Sequence, residues 1–155
     1  MKKFIPLIIF LAIPFLVTSI ATLNTSAGDS YSSFNNPSFA PPSIVFPIVW
    51  TILYLLMGVS SYLVYSNTTA NKEKKIKALT VYGIQLILNA IWPFIFFNLQ
   101  MFLFAYILIL IMIILVIYMI YLFYDISKLA AYLQIPYLIW LGYASILNLA
   151  IFMLN

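Results

Sequence analysis

The chain of 155 residues contains no cysteine and no histidine, and only three of its side chains are acidic. Without cysteine it cannot form a disulfide, a thiolate metal site or a thiol nucleophile. Without histidine, a haem iron would lack its commonest protein ligand. The carboxylates of Asp29, Glu73 and Asp125 lie outside the long apolar runs, so they cannot form an acid and base pair within them. The sequence therefore predicts neither metal-dependent nor hydrolytic catalysis, no metal site and no bound cofactor.

Charge is scarce as well, since 6% of the residues are charged and 66% are hydrophobic. A soluble protein could not bury so much apolar surface, which makes this chain an integral membrane protein. About 20 helical residues cross a hydrocarbon core of about 30 Å. Five apolar runs are long enough: residues 4–23, 44–65, 76–97, 102–124 and 129–154.

None of these runs alternates polar and apolar residues as a barrel strand would. Lipid cannot satisfy backbone polar groups, so each run is predicted to be a helix. The predicted fold is all-α, a single domain over residues 1–155 formed by an integral membrane bundle of five transmembrane helices. The fourth helix is apolar all round except for tyrosines, and we expect it to be the most exposed to lipid.

All cations lie on one side of the predicted spans. They are Lys2, Lys3, Lys72, Lys74, Lys75, Lys77 and Lys128. By the positive-inside rule the N-terminus is cytoplasmic and the C-terminus external, which fits a multi-pass protein of a bacterial cell membrane. The net charge of +4 suits anionic lipid headgroups, and nothing indicates a nucleic-acid surface.

The first span has a second interpretation, as a cleaved signal peptide. Lys2 and Lys3, an apolar core and small residues at 19–21 or 25–27 fit both interpretations. We favour a retained helix because the apolar run is as long as a full span.

The predicted loop over residues 24–43 is long and rich in aromatic residues and proline. Pro37, Pro41 and Pro42 stiffen it, and Tyr31 lies in its middle. Long loops in compact domains are often lids. We expect this segment to fold over the mouth of the bundle; the alternatives are an aromatic belt at the headgroups and a solvated connector.

Three predicted helices each carry a face of flat rings, small residues and amides. The residues that share these faces are Trp50, Tyr54 and Gly58; Tyr82, Gln85, Asn89, Trp92 and Phe96; and Tyr137, Trp140, Ala144 and Asn148. Amides within a membrane need partners, so the faces point into the bundle. Pro93 and Pro136 favour bends beside them. The faces predict a cavity for a flat ligand, and the alternative is interhelical packing without a ligand.

Four segments carry a family resemblance. They are the loop ending in Asn-Pro-Ser-Phe-Ala-Pro-Pro at Pro42, the stretch Pro47–Gly58, the stretch Leu88–Phe97, and Ile135–Trp140 followed by Ala144 and Leu147-Asn148. Their order and spacing resemble those of the translocator protein and the bacterial tryptophan-rich sensory proteins, also known as the peripheral-type benzodiazepine receptor family. The resemblance runs from Tyr31 to Asn155.

The resemblance implies a five-helix bundle whose pocket, under the first loop, receives porphyrins, sterols and aromatic drug-like molecules. Carried over by position, the lid contains Tyr31, Pro41 and Pro42. The pocket is lined by Trp50, Tyr54, Asn89, Trp92, Trp140, Ala144 and Leu147. Porphyrin turnover in the family also makes Trp50 and Trp140 candidates for photo-oxidation.

The chain departs from the family pattern at several positions. Ser30 and Phe39 stand where the family usually has tryptophan, so the lid has fewer indole rings. The last helix lacks the basic residue of the sterol-recognition pattern, which argues against high-affinity sterol binding. Thr80 and Ile84 replace the Gly-xxx-Gly contact of some relatives, so a homodimer stays an open alternative without support from that contact.

Three classes of function remain. The first is a membrane protein that binds porphyrins or other flat apolar ligands, with a sensory, regulatory or transport role. The second is light- and oxygen-dependent degradation of porphyrin at pocket tryptophans, and the third is a membrane scaffold without a ligand.

Overall fold

The computed structural model of the chain describes residues 4–23 and 25–155, so that Lys2, Lys3 and Asn24 lie outside the described residues. The helices are α1 (Phe4–Thr22), α2 (Ala27–Ser33), α3 (Val45–Ser66), α4 (Lys72–Pro93), a π-helical turn (Phe94–Asn98), α5 (Phe102–Tyr124), α6 (Lys128–Leu133) and α7 (Ile135–Leu154). Residues 4–23 and 25–155 contain no strand. The predicted all-α fold is confirmed.

Five helical segments are long and apolar enough to cross a membrane, as the sequence predicts. They are Phe4–Thr22, Val45–Ser66, Lys72–Asn98, Phe102–Tyr124 and Lys128–Leu154. We call the end of the bundle beside residues 67–71 and 125–127 the basic end, because the described lysines lie there. The opposite end, beside residues 25–44 and 99–101, is the loop end.

The third span begins four residues before the predicted start. The Asn71 side chain caps α4 by accepting a hydrogen bond from the Glu73 amide at 2.9 Å, and Glu73 lies in the first turn, where the helix dipole favours an anion. A helix can extend beyond the lipid wherever it is capped. The apolar run marks the membrane crossing and not the whole helix.

Prolines interrupt the third and fifth spans, as predicted. At Pro93 α4 gives way to the π-helical turn, and the fifth span divides at Gln134, two residues before Pro136. Proline lacks the N–H that would continue the hydrogen-bond ladder, so each break follows from the residue itself.

The segment predicted as an unbroken lid loop over residues 24–43 contains the helix α2, and that part of the prediction is corrected. Apart from Ala27, its residues Gly-Asp-Ser-Tyr-Ser-Ser are weak helix formers. Tyr31 within α2 and Phe34 directly after it are buried in the main hydrophobic core. Tertiary burial therefore stabilises a helix that propensity does not predict.

The fourth span is not the one most exposed to lipid, and this prediction was wrong. α5 packs against α4, α6 and α7, whereas α1 packs mainly against α3 and α4. Each helix has a most apolar window of 18 residues, and the buried share of that window is 11% in α1 and 28% in α5. Lipid and a protein core are both apolar, so hydropathy does not distinguish a central helix from a peripheral one.

Candidate functional site

A cavity of about 630 Å³ lies within the bundle at the loop end. α1, α3, α4 and α7 form its walls, α2 lies over it, and Ile109 and Met112 of α5 contribute to its inner wall. Its volume falls within the range of about 300–1,000 Å³ that is typical of small-molecule sites. Exposed lining residues lie at the end of α1, the start of α2 and the start of α3, where the cavity opens.

Eight of the ten residues predicted to bind ligand line this cavity. They are Tyr31, Trp50, Tyr54, Asn89, Trp92, Trp140, Ala144 and Leu147. Pro41 and Pro42 do not line it. Pro41 instead takes part in the lid through its carbonyl, which accepts a hydrogen bond from the Tyr31 hydroxyl at 2.7 Å.

Two sets of stacked rings stand on different walls. On α3, Trp50 stacks on Tyr54 with ring centroids 5.3 Å apart, and Trp50 meets the edge of Trp140 from α7 at 6.3 Å. On the α4 side, Trp92 stacks on Phe96 at 4.7 Å and 18°. Flat rings favour the faces and edges of other flat molecules. The cavity walls therefore present aromatic faces and edges on two sides.

Asn89 connects three helices at the base of the aromatic wall. Its Oδ1 accepts a hydrogen bond from Tyr54 Oη of α3 at 3.1 Å, and its Nδ2 donates to Tyr137 Oη of α7 at 3.1 Å. Asn89 is 5% exposed, so both bonds are largely shielded from solvent. The position of this amide within a span predicts a partner on a neighbouring helix or on a ligand, and the structure shows partners on two helices, whose bonds hold the Tyr54 ring in the wall.

The side chains on α4 and α7 are also tied to α5. Trp92 Nε1 donates to the Ala105 carbonyl at 3.2 Å, and Asn148 Nδ2 donates to the Phe102 carbonyl at 2.9 Å. Ala105 is fully buried, and its small side chain lets the indole approach the α5 backbone. These bonds fix the orientation of the Trp92 ring, which lines the cavity.

The lid is held by Tyr31 and by contacts with the last span. The Tyr31 ring packs edge-on against Phe46 at 5.0 Å. Burial, together with the neighbouring Tyr143, raises the pKa of the Tyr31 hydroxyl, which therefore stays protonated and donates to Pro41 at neutral pH.

Two further contacts join the lid to α7. Tyr143 Oη donates to the Phe39 carbonyl at 3.1 Å. The Asn35 amide N–H donates to Asn155 Oδ1 at 3.0 Å, and Asn155 Nδ2 donates back to the Asn35 carbonyl at 3.1 Å. The segment predicted as a lid thus lies over the bundle.

The sequence did not predict the contribution of α1. Phe15, Thr18, Ser19 and Thr22 line the cavity, and Phe15 meets the edge of the Tyr54 ring at 5.6 Å. Three hydroxyl residues at spacings of one and three in an otherwise apolar run were the available signal. They are easily dismissed, because a threonine within a membrane helix usually bonds to its own backbone, as Thr18 does to the Pro14 carbonyl.

The described lining residues carry hydroxyl, amide, indole and phenol groups and no charged side chain. Residues 4–23 and 25–155 hold no group of three or more His, Cys, Asp or Glu that could bind a metal ion. Such walls can orient the flat apolar part of a molecule through ring contacts and a few hydrogen bonds.

Comparison with known proteins agrees with this architecture. The model of the TspO/MBR family matches residues 5–154, so the match includes the first span. The translocator protein of Homo sapiens is 37% identical over 118 residues, which are 76% of this chain and 70% of the relative.

Two microbial relatives are similar over a larger share of the chain. The tryptophan-rich protein TspO of Archaeoglobus fulgidus is 39% identical over 125 residues, 81% of this chain and 79% of the relative. The tryptophan-rich sensory protein of Cereibacter sphaeroides is 32% identical over 125 residues, which are 81% of this chain and 76% of the relative. This chain therefore belongs to the TspO/MBR family and is a multi-pass membrane protein.

Proposed function

We propose that the protein binds a porphyrin or a similar flat apolar tetrapyrrole in the cavity, in a sensory, regulatory or transport role. The observation that carries this proposal is the pair of ring stacks, Trp50 on Tyr54 and Trp92 on Phe96, on two walls of one cavity. A planar conjugated molecule makes a large contact area with such walls. The names of the relatives, translocator and tryptophan-rich sensory protein, agree with a binding role.

The test is a titration of the purified protein with protoporphyrin while tryptophan fluorescence is measured. The chain has three tryptophans, Trp50, Trp92 and Trp140, and all three line the cavity. Binding should quench most of the emission to saturation, and changing Trp50 and Trp140 to Phe should remove much of the quenched signal. Unchanged emission at saturating porphyrin would contradict the proposal.

A second candidate function is photo-oxidative breakdown of the bound porphyrin. The Trp50 and Trp140 rings meet edge to face with their centroids 6.3 Å apart, and both are partly exposed in the cavity. A photoexcited porphyrin beside them can convert oxygen to reactive oxygen, which then oxidises the indoles and the porphyrin itself. Loss of porphyrin absorbance should then require light and oxygen, and should slow in the Trp50→Phe, Trp140→Phe variant while binding largely persists. Porphyrin that binds and survives illumination would leave binding alone.

A further inference from the structure

Two glutamine side chains are fully enclosed and have no hydrogen-bond partner within the protein. Gln85 on α4 and Gln134 at the junction of α6 and α7 are both 0% exposed. Neither Oε1 nor Nε2 of either side chain has a partner. The hydroxyl of Tyr82, one turn from Gln85, is buried as well, beside the Ser61 hydroxyl. These groups lie outside the ligand cavity.

The connectivity places the two amides at the same level of the bundle. α4 and α7 both run from the basic end to the loop end, and the Asn89–Tyr137 hydrogen bond sets their relative height. Gln85 precedes Asn89 by four residues and Gln134 precedes Tyr137 by three, about one turn in each case. Helical side chains point towards the N-terminus, so the Gln85 amide points towards the basic end. Gln134, at the junction of α6 and α7, lies on the basic-end side of Tyr137.

Buried amides that bond to nothing are rare because each loses its hydrogen bonds to water without replacement. Here the two side chains together present four hydrogen-bonding atoms, and Tyr82 adds a fifth. Water is the usual partner of such groups, since one molecule can bond with two to four polar atoms at once. An ion of either sign would suit the site less well, because none of the charged side chains that the structure describes is buried and could balance its charge.

We propose that one or more water molecules bind between Gln85 and Gln134 and hydrogen bond with Tyr82, forming a buried water site. The site lies on the basic-end side of the hydrogen bonds that join Tyr54, Asn89 and Tyr137. Of these three residues, Tyr54 and Asn89 line the ligand cavity. Tyr82 follows Lys77 by five residues, about 8 Å along the helix. The polar groups thus form a column from the cavity towards the basic end, which the ligand-binding proposal does not require.

Gln100 serves as the control residue. It is the one glutamine of the chain besides Gln85 and Gln134, and it is exposed at the loop end. Protein with ¹⁵N-labelled glutamine side chains, reconstituted in lipid bilayers, would be examined by water-edited solid-state NMR. We expect rapid transfer of magnetisation from water to all three side-chain amides. Transfer to Gln100 without transfer to Gln85 and Gln134 would overturn the proposal.

If Gln85 and Gln134 bind the same water, a change at one of them should affect the other. In Gln85→Leu, transfer to the Gln134 amide should fall severalfold relative to Gln100, whereas the neighbouring lipid-facing change Ile84→Leu should leave it unchanged. An unaltered Gln134 signal in Gln85→Leu would overturn the shared site. If Gln85→Leu does not fold, Gln85→Met, which keeps the length of the side chain, takes its place, and the same severalfold fall at Gln134 is expected.

Discussion

At the scale of single residues, the Asn89 amide joins three helices, because it hydrogen bonds with both Tyr54 and Tyr137. The residue was predictable from the pattern on the third helix, since an amide within a membrane span must find a partner. Its two partners were not, because they lie on other spans at distances of 35 and 48 residues along the chain.

Asn89→Leu should lower the thermal stability of the protein, measured as the unfolding midpoint in detergent. The change leaves the hydroxyls of Tyr54 and Tyr137 without partners, and an unpaired buried polar group costs about 1–3 kcal/mol. Ligand affinity should fall as well, because Tyr54 loses its fixed orientation. Ile91→Leu, on the exposed side of the same helix, is the control. If Asn89→Leu keeps both the midpoint and the affinity, the assigned role of Asn89 is wrong.

Tyr31→Phe should loosen the lid while the ring contact with Phe46 is kept. The lost hydrogen bond to Pro41 is worth about 0.5–1.5 kcal/mol, so protoporphyrin should dissociate several-fold faster in a stopped-flow measurement. Tyr118→Phe, at the basic end, should leave the rate unchanged. Equal dissociation rates for Tyr31→Phe and the unmodified protein would show that this bond does not hold the lid.

The same bond should depend on pH only in alkaline solution. Because the folded-state pKa of Tyr31 is raised, its contribution is fully present below the ordinary tyrosine pKa of about 10. The contribution is lost as pH rises through the higher pKa of the folded protein. Dissociation of protoporphyrin from the unmodified protein should therefore become faster in alkaline solution, as the Tyr31 hydroxyl ionises. This acceleration should be absent in Tyr31→Phe, which has no hydroxyl to ionise.

At the scale of helices, the contact between α1 and α3 depends on one glycine. A Cβ added at Gly58 would lie 2.8 Å from the Leu11 Cα and 2.9 Å from the Phe10 carbonyl oxygen. Both are backbone atoms, so a side chain at position 58 would push the two helices apart. The face of Trp50, Tyr54 and Gly58 was predicted to line the cavity; Trp50 and Tyr54 do so, whereas Gly58 packs against α1.

Gly58→Ala should destabilise the protein by about 1–3 kcal/mol, as overpacking usually does. Gly83→Ala is the matched control, because a Cβ at Gly83 meets nothing within 4 Å and alanine is the better helix former. The control should therefore leave the unfolding midpoint unchanged or raise it. Equal midpoints for the two variants would contradict the close approach of α1 and α3 at Gly58.

At the scale of the whole molecule, the described lysines are confined to one end of the bundle. Lys77 lies 5.7 Å from the Tyr118 ring centroid and Lys128 lies 5.5 Å from that of Tyr124, so basic and aromatic side chains share one rim. Such a rim suits anionic headgroups at the cytoplasmic surface. We infer that the basic end is cytoplasmic and the lid external.

Single introduced cysteines test this orientation, because the natural chain has none. Ser38→Cys in the lid should react with a membrane-impermeant maleimide in intact cells. Thr68→Cys, in the loop at the basic end, should react only after the membrane is permeabilised. Both positions are exposed in the folded protein, so a difference in labelling reports on the side of the membrane. The reverse pattern would invert the proposed topology.

The sequence by itself determines the number of spans and the chemical character of the cavity. Lipid offers no hydrogen bonds, so every crossing must be a long apolar helix that composition reveals. An amide side chain within such a helix must turn inward, and this requirement identified Asn89 and the ring-bearing faces that include Trp50 and Trp140. Pro93 and Pro136 marked the helix breaks, because a missing N–H acts locally.

Only the tertiary structure decided which helices are neighbours and what closes the cavity. Apolar side chains facing lipid and facing protein have the same hydropathy, so the pattern does not show that α5 packs against α4, α6 and α7 or that Phe15 and Thr18 of α1 line the cavity. α2 forms because Tyr31 and Phe34 find a core supplied by distant spans. Which helices surround a cavity depends on side chains that fit together across the whole chain, and a local sequence pattern does not contain that information.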